Sequence, residues 1–333
     1  MTRSQRGKLP TILPVLALVG LVAVLVFLPS EGSKAADRAA AVTADGAPRR
    51  IALPDGRMLQ LSGRPSAVLP AAAGSVDVLV ALLDPVDLAG MPAQARRYSG
   101  LRNTRSPYLA LPSFAAYEAE RVLALQPDLV FAHEWQSPDT TARLREAGVE
   151  VVVLDDPTDW EGVAAQMRLL GQILGGDAQE RAEQLLADYE LRIAALREQH
   201  PPEPLGALAY SNGGAGSVAG ADTSVDEILR LAGLRNLAGE AGRSGYSGLS
   251  FEELIVIDPD VFVVGGEADA QGVGGTAAVL RSEPALAGLS AVVDDRIVVL
   301  EPWLYTTLSH HMVDAAEEVA AQTQRWAPTT PQR

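Results

Sequence analysis

Short runs dominated by apolar residues recur along this chain at 129–132, 151–154, 206–210, 261–264 and 296–300, and each reads as a buried strand. Between them the apolar side chains fall three and four positions apart, the spacing of one helix face. Strands and helices alternating in this way point to mostly parallel sheets covered on both faces. The series opens with a hairpin, because the runs 51–53 and 58–61 flank Pro54, Asp55 and Gly56. A strand at 67–69, a helix at 76–83 and a strand at 86–89 are expected next, then helices at 138–147, at 224–232 behind the cap Thr223, and at 309–321.

The middle of the chain is helical by the same criterion. Trp160, Val163, Ala164, Met167, Leu170 and Leu174 mark one amphipathic face, and Ala182, Leu185, Leu186, Tyr189, Ile193 and Leu196 mark another beyond Gly175 and Gly176. The second predicts a helix of about 20 residues, or about 30 Å, that ends at His200, Pro201 and Pro202.

One pattern occurs twice. Residues 120–133 and 252–265 both start acidic, pass through Pro-Asp and finish as an apolar strand, in ungapped register 132 positions apart. That spacing is too long for a solenoid and implies two similar lobes. The fold class expected is α/β, with two doubly wound α/β lobes joined by a long rigid α-helix. The divisions expected are a signal peptide or membrane anchor at 1–34, a linker at 35–49 and an N-terminal lobe at 50–156. A helical connector at 157–202, a C-terminal lobe at 203–327 and a tail at 328–333 follow. Ser250 and Glu253 have the spacing of a capping box at the start of the second repeat helix.

Composition narrows the function. The chain has 333 residues, a formal charge of −15 and no cysteine, so disulfides, thiolate metal sites and a cysteine nucleophile are excluded. Such an acidic surface repels nucleic acid and anionic lipid. Arg3, Arg6 and Lys8 precede an uncharged apolar stretch over 11–28, which reads as an export signal or an anchor, and either places the bulk of the chain outside the cytoplasm.

Ligands of parallel sheets collect beyond the carboxyl ends of the strands. The residues there are His133, Glu134 and Trp135 after one strand, the glycines 213 and 214 after another, Gly265 to Glu267 after a third, and Trp303 and Tyr305 after the last. Residues 91–111 add an irregular stretch with Arg96, Arg97, Tyr98, Arg102, Arg105 and Tyr108, whose guanidinium forks suit carboxylates or phosphates as well as surface ion pairs. His133, His310 and His311 are the candidate metal-ligating residues, although adjacent residues seldom face one site. No phosphate-loop, dinucleotide or nucleophile-elbow motif is present.

The segments 124–132 (ALQPDLVFA), 144–154 (LREAGVEVVVL) and 296–303 (RIVVLEPW) resemble the helical-backbone substrate-binding proteins of ABC importers, which carry iron siderophores, haem, cobalamin or metal ions. The resemblance extends over roughly residues 50–325. It implies a monomer that binds its ligand in a cleft between lobes, performs no catalysis and holds no permanent cofactor, the cargo containing iron or cobalt. It also implies that Glu120 and Glu252 dock on an ABC permease. Against the cobalamin-binding member, Trp303 matches a pocket tryptophan and His133 replaces a pocket aromatic, which raises haem or an iron chelate. The function expected is capture of an iron-siderophore or related chelate with His133, Glu134, Trp135, Tyr98, Arg97, Arg102, Trp303 and Tyr305 around it. The alternatives are a two-domain α/β enzyme and a surface ligand sensor without a transport role.

Overall fold

The computed structural model describes residues 48–101, 106–212, 216–266 and 275–326. The N-terminal segment, the linker up to residue 47 and the tail from 327 therefore lie outside the described residues, as does Arg102. No described helix is long and apolar enough to cross a membrane.

The first half is built on three parallel strands in the order Val68–Pro70, Leu129–His133, Glu150–Leu154. The central strand is buried at all five positions, as a strand covered on both faces must be. The hairpin Arg49–Ala52 with Met58–Leu61 forms as expected, turning on Gly56 at φ +80. The strand expected at 86–89 does not. Pro85 opens a 3-10 turn, Pro85–Asp87, and only Leu88 makes a single bridge, to Val68, because a proline-led turn cannot present a run of ladder donors. The first helix, Ala73–Leu82, starts three residues ahead of the expected position.

The second half holds a six-stranded sheet. Gly206–Asn212, Val261–Gly265 and Ile297–Leu300 run parallel, with Arg235–Asn236 parallel on the other side of the first. Gly216–Ala219 and Tyr246–Gly248 add an antiparallel extension that the expected mostly parallel sheet lacked. Both are glycine-containing and half exposed, so neither carries the apolar run that marks a buried strand.

The two halves are linked by Trp160–Leu174 and Asp177–Glu198. The second has 22 residues and buries Ala178, Ala182, Leu186, Tyr189, Ile193 and Leu196. Gly175 and Gly176 turn between the helices at φ +69 and +54, a conformation that side-chain-bearing residues seldom adopt. One apolar core runs without a break from Val78 and Phe131 through Leu186 and Ile193 to Val263 and Met312. A continuous core along the connecting helix resists wide lobe opening, because close-packed interiors transmit displacement.

Both repeat helices form, as Ala119–Leu123 and Phe251–Ile257. The Ser250 capping box is complete, and Thr223 caps Ser224–Leu231. Gln126 and Asp258, equivalent in the repeat, both take positive φ, at 51° and 42°, which ends each helix and redirects the chain into the following strand.

Candidate functional site

His133 ends the central strand Leu129–His133 and is 2% exposed. Its backbone N–H donates to Gln136 Oε1 at 2.9 Å, and Gln136 Nε2 donates to the Ala71 carbonyl at 3.0 Å, so the turn beyond the strand is tied to the loop beyond its neighbour. Its imidazole Nδ1 stands 2.6 Å from Asp156 Oδ1. In the neutral ring a carboxylate there favours the proton on Nδ1, the tautomer in which Nε2 carries the lone pair. That Nε2 is buried and has no hydrogen-bond partner among the described residues.

The imidazole lines a cavity of about 180 Å³ together with Ala72, Ala73, Gly74, Gln94, Tyr98, Trp135, Thr306 and Leu308. Thr306 and Leu308 come from the second half of the chain and the rest from the first, so the cavity lies between the lobes. Gly74 lies between the two, since a Cβ there would make ordinary contact with Leu308 Cβ at 3.4 Å and His133 Cε1 at 3.8 Å. Trp135, 58% exposed, sits 5.9 Å from the His133 ring and with Gln94 also lines a second cavity of about 280 Å³ bordered by Phe114 and Tyr117. A larger cavity of about 560 Å³ lies between the hairpin and the Trp160–Leu174 helix. All of its lining falls within residues 52–169, without an aromatic side chain, and includes Asp155, Asp156 and Asp159. The smaller pair, with aromatic walls and contributions from both lobes, is the better candidate for an organic ligand.

Of the residues singled out in the sequence, His133, Trp135 and Tyr98 come together. Arg97 is exposed with its guanidinium 5.4 Å from the Tyr98 ring centroid, and Glu134 is exposed beside them. Tyr305 sits against Gly265, and burial pushes its phenol well above the ordinary value, with Tyr246 adding to the effect. Trp303 does not line the His133 cavity. It packs edge-on against His311, ring centroids 5.0 Å apart, one turn before Thr306.

Neither His310 nor His311 lines the His133 cavity, and the buried Nδ1 of His310 has no hydrogen-bond partner among the described residues. His310 is buried beside Tyr189, and burial, with the His311 charge, pushes it down to about 3. His311 Nδ1 pairs with Asp314 at 2.5 Å. Burial opposes ionisation of Asp314, but hydrogen bonds from His311 and Arg192 outweigh it and hold the carboxyl at about 2. Arg192 also pairs with Glu317 at 2.6 Å, which fastens the connecting helix to His311–Thr323. Among the described residues no cluster of three or more His, Asp or Glu side chains is arranged to hold a bare metal ion.

Asp156 and Gln136 were missed in the sequence. Asp156 was within reach, since it lies two residues beyond the strand Glu150–Leu154 and the strand-end rule extends to it. Gln136 carried no signal, because its role depends on the turn geometry alone.

Residues 72–303 match the family model described as periplasmic binding protein. A cobalamin-binding protein of Halobacterium salinarum is 33% identical over 152 residues, 45% of this chain and 41% of its own length. An uncharacterized ABC transporter substrate-binding lipoprotein of Bacillus subtilis is 24% identical over 60% of this chain and 63% of its own. The chain thus spans less than two thirds of each of these curated relatives. A periplasmic heme-binding protein of Roseiflexus sp. RS-1 superposes with a TM-score of 0.69 at 26% identity, covering 79% of this chain and 99% of that one.

Proposed function

The chain belongs to the periplasmic binding protein family, and on that premise we propose that it captures a metal tetrapyrrole, haem or a corrinoid, between its lobes outside the cytoplasm and passes it to an ABC permease. The observation that carries this reading is the His133–Asp156 pair, with Nε2 left as a buried, unpartnered atom on a ring that borders a cavity walled by Trp135 and Tyr98. A flat macrocycle is held by aromatic faces, and a metal at its centre takes an imidazole lone pair on its axial side. The named binding roles of the Halobacterium and Roseiflexus proteins are consistent with that chemistry. The cavity of about 180 Å³ is smaller than such a ligand needs. Outward rotation of the exposed Trp135 joins it to the neighbouring one of about 280 Å³, and a small lobe movement supplies the remainder.

Glu120 and Glu252 hold equivalent, exposed places in the first turn of the two repeat helices and are proposed as the permease contacts. Glu120 has Arg143 4.0 Å away, a screened surface pair that a permease arginine would displace at little cost.

The test is a titration of the purified protein with haemin, aquocobalamin and a ferric hydroxamate chelate, followed by absorbance and tryptophan emission. The expected result is a shifted Soret band or corrinoid spectrum that is lost in His133→Ala. A response to the hydroxamate alone would move the ligand to the siderophore class.

A further inference from the structure

Asp77 lies on the Ala73–Leu82 helix and is 2% exposed, yet its carboxylate serves both lobes. Oδ1 accepts the Gly100 N–H at 2.8 Å, and Oδ2 faces the Ser309 hydroxyl at 3.5 Å across a sequence separation of 232 residues. Gly100 follows Tyr98 by two positions and Ser309 follows Leu308 by one, and Tyr98 and Leu308, from different lobes, both line the cavity. A second contact runs alongside. A Cβ at Gly100 would stand 2.8 Å from His311 Nε2 and 3.4 Å from Trp303 Cζ3, so the lobes approach closely enough there that a side chain at residue 100 would displace the His311 ring.

We propose that Asp77 is a positioning residue that fixes the Trp303–Leu308 segment of one lobe against the Tyr98–Gly100 segment of the other, and so sets the width of the cavity between them. Its effect on binding rests on the ligand site proposed above, but the coupling between the lobes does not.

The surroundings fit a role in positioning rather than in stability. Burial, the largest influence, pushes Asp77 up to about 6 against the opposing pulls of the His311 charge, the Gly100 N–H and the Ser309 hydroxyl. Holding it ionised at neutral pH therefore costs folding energy, and an apolar side chain would not carry that cost. The titratable and charged groups around it are His311, with Nε2 3.9 Å from Oδ1, and behind it Asp314, Arg192 and Glu317, with His310 beside them. Each of those groups belongs to the second lobe or the connecting helix.

Hydrogen exchange of the full chain tests this without any ligand, with Trp303 emission isolated by subtracting the Trp303→Phe protein. Asp77→Ala is expected to speed exchange by about tenfold both around Gly100 and across 306–311, and to shift Trp303 emission. Asp77→Asn, which keeps an acceptor for the Gly100 N–H, is expected to return the Gly100 region to within about threefold of the parent. Faster exchange around Gly100 alone, with 306–311 and Trp303 unchanged, would overturn the proposal. If Asp77→Ala does not fold, Ser309→Ala decides the matter, since it should shift Trp303 while leaving Gly100 protected, and an unchanged Trp303 refutes the coupling. A haemin titration of the same proteins separates the two readings. Weakening by about tenfold in Asp77→Ala is expected. Haemin that fails to bind the parent, with the exchange result intact, refutes the ligand and leaves the coupling standing.

Discussion

Asp128 and Asp260 occupy the same place in the two repeats and close their sheets in the same way. Asp128 accepts the Ser66 N–H at 2.7 Å and returns its own N–H to the Ala67 carbonyl at 3.0 Å. Asp260 accepts the Gly206 N–H at 2.7 Å and returns its own to the Gly206 carbonyl at 2.9 Å. Each pins the start of the first parallel strand of its sheet to the strand that the repeat introduces.

Asp128→Ala and Asp260→Ala should therefore each lower stability by about 1–3 kcal/mol, with Asp260 the costlier because its bond is partly buried. The sites share no partners, so the double variant should lose close to the sum. Denaturant midpoints measured at constant slope check both points.

At the ligand site, His133→Ala should abolish the axial spectral signature, while Asp156→Asn should keep it with affinity weakened by about 10–100-fold, because the outer carboxylate orients the ring rather than touching the ligand. Trp135→Ala should weaken binding without measurable loss of stability, given its exposure. Spectral titration beside thermal unfolding separates these effects.

Acid should act through two buried groups of opposite sign. His310 is held at about 3, below its unfolded value, so its contribution is present above about pH 6.5 and is lost as pH falls toward 3, by up to about 1.4 kcal/mol per unit. Asp77 is held at about 6, above its unfolded value, so its contribution is present below about pH 4 and is lost as pH rises through 6. Urea unfolding between pH 7 and 4 should show His310→Gln losing less stability than the parent and Asp77→Asn losing more.

For the permease contacts, Glu120→Ala and Glu252→Ala should leave ligand affinity unchanged and stability within about 0.5 kcal/mol. Uptake through the permease should fall, most of all in the double variant. Loss of binding in either variant would place these residues in the ligand site instead.

The elements legible in the sequence were those with strong periodicity or strong caps. The 22-residue connecting helix, the central strand ending at His133 and the Ser250 capping box lie where the apolar spacing and the polar flanks placed them. The extension formed by Gly216–Ala219 and Tyr246–Gly248 was not legible, because short half-exposed strands carry no apolar run and owe their register to the neighbour they pair with. Trp303 shows the same limit at the site. Its place after a strand was readable, but Gly100 and His311 determine what its ring touches, and both are remote in sequence.

What the sequence determined by itself was the repeated lobe, since an ungapped duplication with its Pro-Asp break dictates the same local turn twice, and with it the strand ends where His133 and Trp135 emerge. Only the tertiary structure decided that His133 pairs with Asp156, that His311 pairs with Asp314 away from the His133 cavity, and that one buried carboxylate faces both lobes. Those outcomes depend on distances between segments far apart in the chain, which local periodicity does not encode.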